Sequence, residues 1–319
     1  MALVLAGLGL IAAAAVESTV TATALPLPGP EATGLGCLTM TSSHSLSGGR
    51  GFGGFSGMVL DAGTGDLLLL ADNGRIQELN VTLNKSGEVT GINEGASFLI
   101  LDQNGRRLAK RNGDTEAIAP WEDGYLVTRE RVHDALLIEP QDGNFIMRET
   151  IVDLSGGQAL SNNGGYEAAT ALDDGRALFI SEGTLRSGEA MMMLFDGENL
   201  LDRGLYRPAD GFAVTDIIAD ETSDRLFGVE RAFSASLGPR TRLTAAPLKS
   251  AIDDNAVTLV PAELGQLTLA EGTDNMEGLA FYRSSDGGEN LMIISDDNFN
   301  PIQRTVLMTF RLGDTCPLQ

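Results

Sequence analysis

Carboxylates recur along this chain at a spacing that points to a repeated unit. Gly57, Glu116, Glu167, Asp216 and Glu277 stand at matching places in five similar segments, separated by 59, 51, 49 and 61 residues. Further along the same segments come Asp72, Glu130, Glu182, Glu230 and Asp296. Arranged about one axis, these would form two sets of carboxylates. Like charges packed together are costly unless cations or arginines compensate. Hard oxygen donors at that density suit Ca²⁺, with Mg²⁺ as the alternative. The expected metal ligands are Glu116, Glu167, Asp216, Glu277, Asp296 and Asp297, and the expected catalytic carboxylates are Glu116, Glu167, Glu277 and Asp296. A plainer reading stands beside this one: acidic residues at strand ends often bond backbone amides or form ion pairs between repeats. Arg75, Arg129, Arg131 and Arg231 lie close enough in sequence to serve as partners.

The densest polar cluster is Ser295–Arg304, where Asp296, Asn298 and Asn300 resemble the opening of a calcium loop. It is no EF-hand, because the glycine and the closing glutamate are missing from the required positions. Familiar hydrolytic machinery is scarce. The histidines are His44 and His133, too few for a zinc cluster, and His133 reads as a strand residue. Gly54-Phe-Ser-Gly57 is not the nucleophile elbow G-x-S-x-G, and no P-loop or dinucleotide fingerprint occurs.

Each segment must position its carboxylates with two short apolar strands joined by an Asp- and Gly-rich turn. Ala62–Asp66, Asp173–Gly175 and Asp286–Gly288 are such turns. Every interval holds four short strands, and long stretches of helical period are absent. Four-stranded units at this period predict a single all-β domain, a β-propeller of five or six blades. A sixth copy would have to come from Val81–Asp114 or Arg240–Asp274, and a two-domain sandwich is the architectural alternative. After the fifth pair, Arg304–Leu312 supplies a third strand and then little chain remains. Gly36–Thr41 has strand character and can complete that unit, closing the ring. The closure would bring Cys37 to Cys316, so a disulfide is expected there; two unrelated thiols is the plainer reading.

With 44 acidic and 22 basic residues the net charge is −22. Such a field repels nucleic acid and anionic membrane surfaces, and an anionic substrate would need a cation or local arginines. The apolar run from Met1 to Val16 is too short for a membrane span and fits the core of an export signal, although no basic residue precedes it. The expected organisation is a signal peptide over 1–24, a Pro-rich linker over 25–33 and one propeller over 34–319, in an exported, periplasmic or extracellular protein. The mature protein would be a monomer without a membrane span.

Four stretches carry a family resemblance: Asn275–Ala280 (NMEGLA), Ser295–Thr305 (SDDNFNPIQRT), Gly54–Gly57 (GFSG) and Asp114–Ala119 (DTEAIA). Together they resemble the phytase-like family, described as having esterase-like activity of phytase, over roughly Gly34 to Leu312. The resemblance implies an exported bacterial propeller that hydrolyses phosphate or other esters. On that reading a cation among Glu116, Glu167, Glu277 and Asp296 would polarise a small-molecule ester, and Arg131, Arg231 or Arg304 would hold its anionic part. Two other functions fit the same residues. One is a non-catalytic propeller that binds a ligand or protein, and the other is a calcium-dependent lactonase.

Overall fold

The computed structural model describes residues 16–29, 33–108, 110–154, 164–185, 187–197, 199–252 and 258–317. Five antiparallel groups of strands succeed one another along the chain. Blade 1 comprises Phe55–Asp61, Asp66–Ala71, Arg75–Leu83 and Gly95–Leu101; blade 2 comprises Thr115–Trp121, Gly124–Arg129, Asp134–Gln141 and Asn144–Asp153. Blade 3 follows with Tyr166–Ala171, Arg176–Thr184, Ala190–Asp196 and Asn199–Tyr206, and blade 4 with Ala213–Asp220, Arg225–Ser234, Gly238–Pro247 and Ala262–Leu267. Blade 5 takes Asn275–Arg283, Glu289–Asp296 and Thr305–Leu312 from the C-terminal end and Leu38–Gly48 from the N-terminal end. The first strand of each blade touches the first strand of the blade on either side, and blade 5 touches blade 1. The ring is therefore closed, and the chain folds as a β-propeller.

The packing explains why the second strands read as unbroken apolar runs such as Asp66-Leu-Leu-Leu-Leu-Ala71. A blade inside the ring is covered on both faces, so successive side chains enter different cores. Leu67 and Leu69 pack between blades 5 and 1, whereas Leu70 packs between blades 1 and 2. Leu126 and Val127 divide in the same way between the cores on either side of blade 2. Five apolar clusters result, one at each junction between neighbouring blades.

The ring closes as the repeat pattern predicts. Thr305–Leu312 pairs antiparallel with Leu38–Gly48, from Thr305 opposite Leu46 to Leu312 opposite Leu38. Cys37 and Cys316, 279 residues apart, are joined by a disulfide beside this seam. Neither stretch considered for a sixth repeat makes one. Val81–Asp114 supplies the hairpin and outer strand of blade 1, while Arg240–Asp274 supplies outer strands of blades 4 and 3. Residues 1–15 of the expected signal and 30–32 of the expected linker lie outside the described residues. Val16–Ser18 pairs with Gly95–Ser97, and Val20–Ala24 forms an edge strand on Leu38–Gly48. Among the described residues no helix is long and apolar enough to cross a membrane. His133 is not in a strand but in the turn after Arg129, with a φ of 57°.

Candidate functional site

The first strand of every blade carries one extra residue near its start, seen as a break in register with the second strand. The extra residues are Ser56, Glu116 (with Ala117 beside it), Glu167, Thr215 and Glu277. A bulge of this kind bends the strand and re-aims a side chain. The repeat thus presents five side chains at one end of the channel, three of them glutamates. Ser56 and Thr215 instead turn their hydroxyls onto the next blade, bonding the carbonyls of Thr115 (2.9 Å) and Met276 (3.0 Å).

Opposite the residue just before each bulge, the second strands carry Ala71, Arg129, Ser181, Glu230 and Ser295. The next residue in each blade is Asp72, Glu130, Glu182, Arg231 or Asp296. Blade 4 thus departs from the sequence alignment twice: Thr215 replaces Asp216, and Arg231 replaces Glu230. Glu230 points elsewhere. It is fully buried and accepts hydrogen bonds from Tyr206 Oη, Arg242 and the amide of Ala209. Asp216 is also occupied structurally, accepting from the amides of Ile217 (2.8 Å) and Leu279 (2.7 Å), the second in the next blade.

The remaining acidic side chains converge. Oxygens of Asp114, Glu116 and Glu130 lie within 4.8 Å of one another, and so do those of Glu130, Glu167 and Glu182. Glu130 belongs to both groups. Glu277 and Asp296 flank them, both buried. Against this negative charge stands Arg231. Its Nη2 bonds Glu182 (2.7 Å), its Nη1 bonds Asn275 Oδ1 (2.9 Å), and it lies 3.5 Å from Glu277 and 4.0 Å from Glu167. Asn275 in turn donates to Glu277 (2.6 Å). Arg131 balances the other side through Asp114 (2.6 Å). Arg304 sits farther out, 3.8 Å from Asp274. Asp297 is held by the amides of Gly54 and Phe299 and organises the loop. Gly54 has a φ of +68°, and a Cβ there would strike the ring of Phe299 and crowd Asp72, so this approach requires glycine.

Burial and crowding show in the proton affinities. Desolvation, then Asp296 and Asp114, push Asp72 up to about 7. Desolvation with Asp114 and Glu182 brings Glu130 to about 7. Glu277 rises to about 8 because burial and Asp296 outweigh Arg231, and burial raises Asp296 to about 6. Glu116 and Glu167 are raised well above the usual range, chiefly by burial and then by their acidic neighbours. Burial opposes the charged form of Arg231, yet Glu277, Glu167 and Glu182 prevail and hold its proton more tightly than usual.

A consequence for stability follows. The unfolded chain gives up these protons near pH 4, whereas the folded protein keeps them to about 6–8. Their contribution is fully present below about pH 4 and is lost as pH rises through 6 to 8. Carboxylates with lowered values, such as Asp220 and Glu289, act in the opposite sense but at lower pH. In chelator, the melting temperature is expected to fall between pH 5 and 8, and millimolar Ca²⁺ should flatten the slope; a slope indifferent to the cation would contradict this.

The donor set fits a hard divalent cation. Carboxylate oxygens converge, their mutual repulsion is incompletely compensated, and Asp72 Oδ1 is buried without a hydrogen-bond partner. Of the residues expected from sequence, Glu116 and Glu167 enter the converging groups, Glu277 and Asp296 flank them, and Asp216 is not brought in. Asp114, Glu130 and Glu182 were not among the expected ligands. For Glu130 and Glu182 the signal was their recurrence after each second strand.

A family model described as "Phytase-like: Esterase-like activity of phytase" matches residues 50–299, which contain this whole mouth. The chain belongs to the phytase-like family. No curated protein sequence matches it. Among solved structures it is similar to a Myxococcus xanthus glutaminyl cyclase, with a TM-score of 0.46 and 9% identity over 87% of this chain and 97% of that one. It is also similar to a chain of a nidogen/laminin complex (TM-score 0.40, 10% identity, 81% and 87% covered). A tail fiber of Staphylococcus aureus phage P68 is a third (TM-score 0.41, 11% identity, 87% and 53% covered). The stretches Asp114–Ala119 and Ser295–Thr305 both border the acidic mouth.

Proposed function

We propose that this phytase-like propeller hydrolyses small phosphate esters or related anionic esters at the acidic mouth, with Ca²⁺ as its cofactor. The observation that supports this most is the meeting of two carboxylate triplets, sharing Glu130, with a fixed guanidinium on the neighbouring blade 4. Asp114, Glu116, Glu130, Glu167 and Glu182 would hold the cation, with Asp72 and Asp296 close by. A bound divalent cation supplies charge neutralisation, polarisation of the ester oxygen and a lowered pKa for water.

The chain's own residues account for the rest. Arg231 faces the carboxylates across the mouth and can hold an anionic oxygen through charge-assisted hydrogen bonds. Asn275 bonds both Arg231 and Glu277, fixing their relative positions. Glu277, with its value raised to about 8, carries a proton at neutral pH that it can deliver to a leaving alkoxide. Arg131 limits repulsion among Asp72, Asp114 and Glu130. An exported, periplasmic or extracellular site of action is supported by the disulfide, since such bonds persist in oxidising compartments.

The test is hydrolysis of aryl and alkyl phosphates by the full chain after removal of divalent ions. Activity should vanish in chelator and return on adding Ca²⁺, less well with Mg²⁺, which demands tighter octahedral geometry. Turnover that persists unchanged in excess chelator would overturn the cation's role, and no ester hydrolysed under any ion condition would overturn the enzyme.

A further inference from the structure

Beside the acidic mouth, between blades 4 and 5, lies a cleft of about 560 Å³ whose lining includes Arg231, Arg240, Phe233, Leu269, Ile302 and the carboxylate of Asp274. Arg231 and Asn275, which also lines the cleft, belong to the mouth as well, so the cleft adjoins it. The character of the cleft differs sharply from the mouth. Phe233, at the end of a strand, is 76% exposed, and Leu269 and Ile302, in turns, are 60% and 88% exposed, three large apolar side chains on a protein whose net charge is −22. An exposed apolar group is unremarkable singly, but several lining one cleft beside polar groups mark a ligand surface.

The cations of the cleft are also incompletely used. Arg240 forms no ion pair among the described residues; its guanidinium lies 5.0 Å over the ring of Phe212, and its buried Nε has no hydrogen-bond acceptor. The Nε of Arg231 is likewise buried without a hydrogen bond, though it lies 3.5 Å from an oxygen of Glu277. Buried donors without acceptors carry a desolvation cost that an anionic group at the cleft would relieve. On the far side, the mouth presents carboxylates. A ligand reaching outward from the mouth thus meets the guanidiniums of Arg231 and Arg240, then apolar side chains bordered by amides and by the Asp274 carboxylate.

Resting on the hydrolase reading above, we infer that the substrate is a phosphate monoester of an apolar alcohol, its phosphate between Arg231 and Arg240 and its aryl or alkyl part on Phe233, Leu269 and Ile302. A polyphosphorylated sugar or polyol matches poorly, because phosphates directed outward past Arg231 and Arg240 would face Phe233, Leu269, Ile302 and the Asp274 carboxylate. In the reaction, a water oxygen bonds to phosphorus and the P–O bond to the alcohol breaks. The electron pair stays on the alcohol oxygen, which gains a proton, so one ester and one water become one alcohol and one orthophosphate.

The experiment measures binding to the Ca²⁺-loaded full chain with phosphonates that cannot be hydrolysed. 1-Naphthylmethylphosphonate should bind at least about tenfold more tightly than methylphosphonate, as apolar contact of this size predicts. Ile302→Ser combined with Phe233→Ser, both at exposed side chains, should erase most of that preference. Arg240→Gln should weaken both phosphonates. Equal binding of the two phosphonates, a preference that survives the double substitution, or tighter binding of inositol hexakisphosphate than of the naphthyl compound would each overturn the inference. If the binding pattern holds but no ester is turned over, the hydrolase reading falls and the ligand class of the cleft stands; turnover without apolar preference has the reverse meaning.

Discussion

Glu277→Gln combined with Asp296→Asn should lower kcat/KM for 1-naphthyl phosphate by about 10²–10⁴-fold, the range over which positioned proton donors and acceptors contribute. Both side chains are buried at the edge of the carboxylate groups, and both have raised proton affinities. The substitutions keep their shape and remove the acidic function. Stability should move the other way. Removing two crowded carboxylates relieves repulsion, so the cation-free variant should melt no lower than the parent at pH 8. An inactive protein that is at least as stable separates a chemical role from a structural one. Full activity in the double variant would show that the chemistry lies elsewhere.

Arg231→Met should have its largest effect on the folded state. The guanidinium serves Glu167, Glu182 and Glu277 at once, and it stands where other blades place a carboxylate. Removing one partner of such a network leaves buried charge uncompensated, at a cost of about 3–5 kcal/mol. Ca²⁺ should restore much of this, since a ligand at a thousandfold excess over its Kd stabilises by about 4 kcal/mol. Urea unfolding with chelator and with Ca²⁺ measures both quantities. The loss expected in chelator should shrink markedly with Ca²⁺; an equal loss under both conditions would mean that Arg231 compensates charges no cation reaches.

The sequence names Arg231 as a candidate anion-binding residue but does not show its place in the mouth. By sequence spacing it was one of several arginines near strand ends, and Glu230 before it seemed to continue the acidic series. Counted from the bulge that every blade shares, Glu230 of blade 4 stands level with Ala71, Arg129, Ser181 and Ser295, so it is Arg231 that stands level with Asp72, Glu130, Glu182 and Asp296. Side chains alternate along a strand, so a shift of one exchanges what faces the mouth for what faces the core. Glu230 accordingly bonds Tyr206 and Arg242 in the interior.

The sequence by itself determined the repeated strand pair, the closure of the ring by an N-terminal strand, the pairing of Cys37 with Cys316 and the recurrence of Glu116, Glu167, Glu277 and Asp296 at matching places in the repeat. These are legible because apolar runs, turn residues and recurring intervals express local chain geometry and its repetition. Only the tertiary structure decided that Glu130 joins two carboxylate groups, that Asp114 and Glu182 stand with it, and that Asp216 holds two blades together instead. It alone also brought Phe233 and Ile302, 69 positions apart, to the same cleft. Distances across a ring depend on how blades turn against one another and on single-residue bulges. Neither leaves a periodic mark in the sequence, because the contacts they create join residues with no fixed separation along the chain.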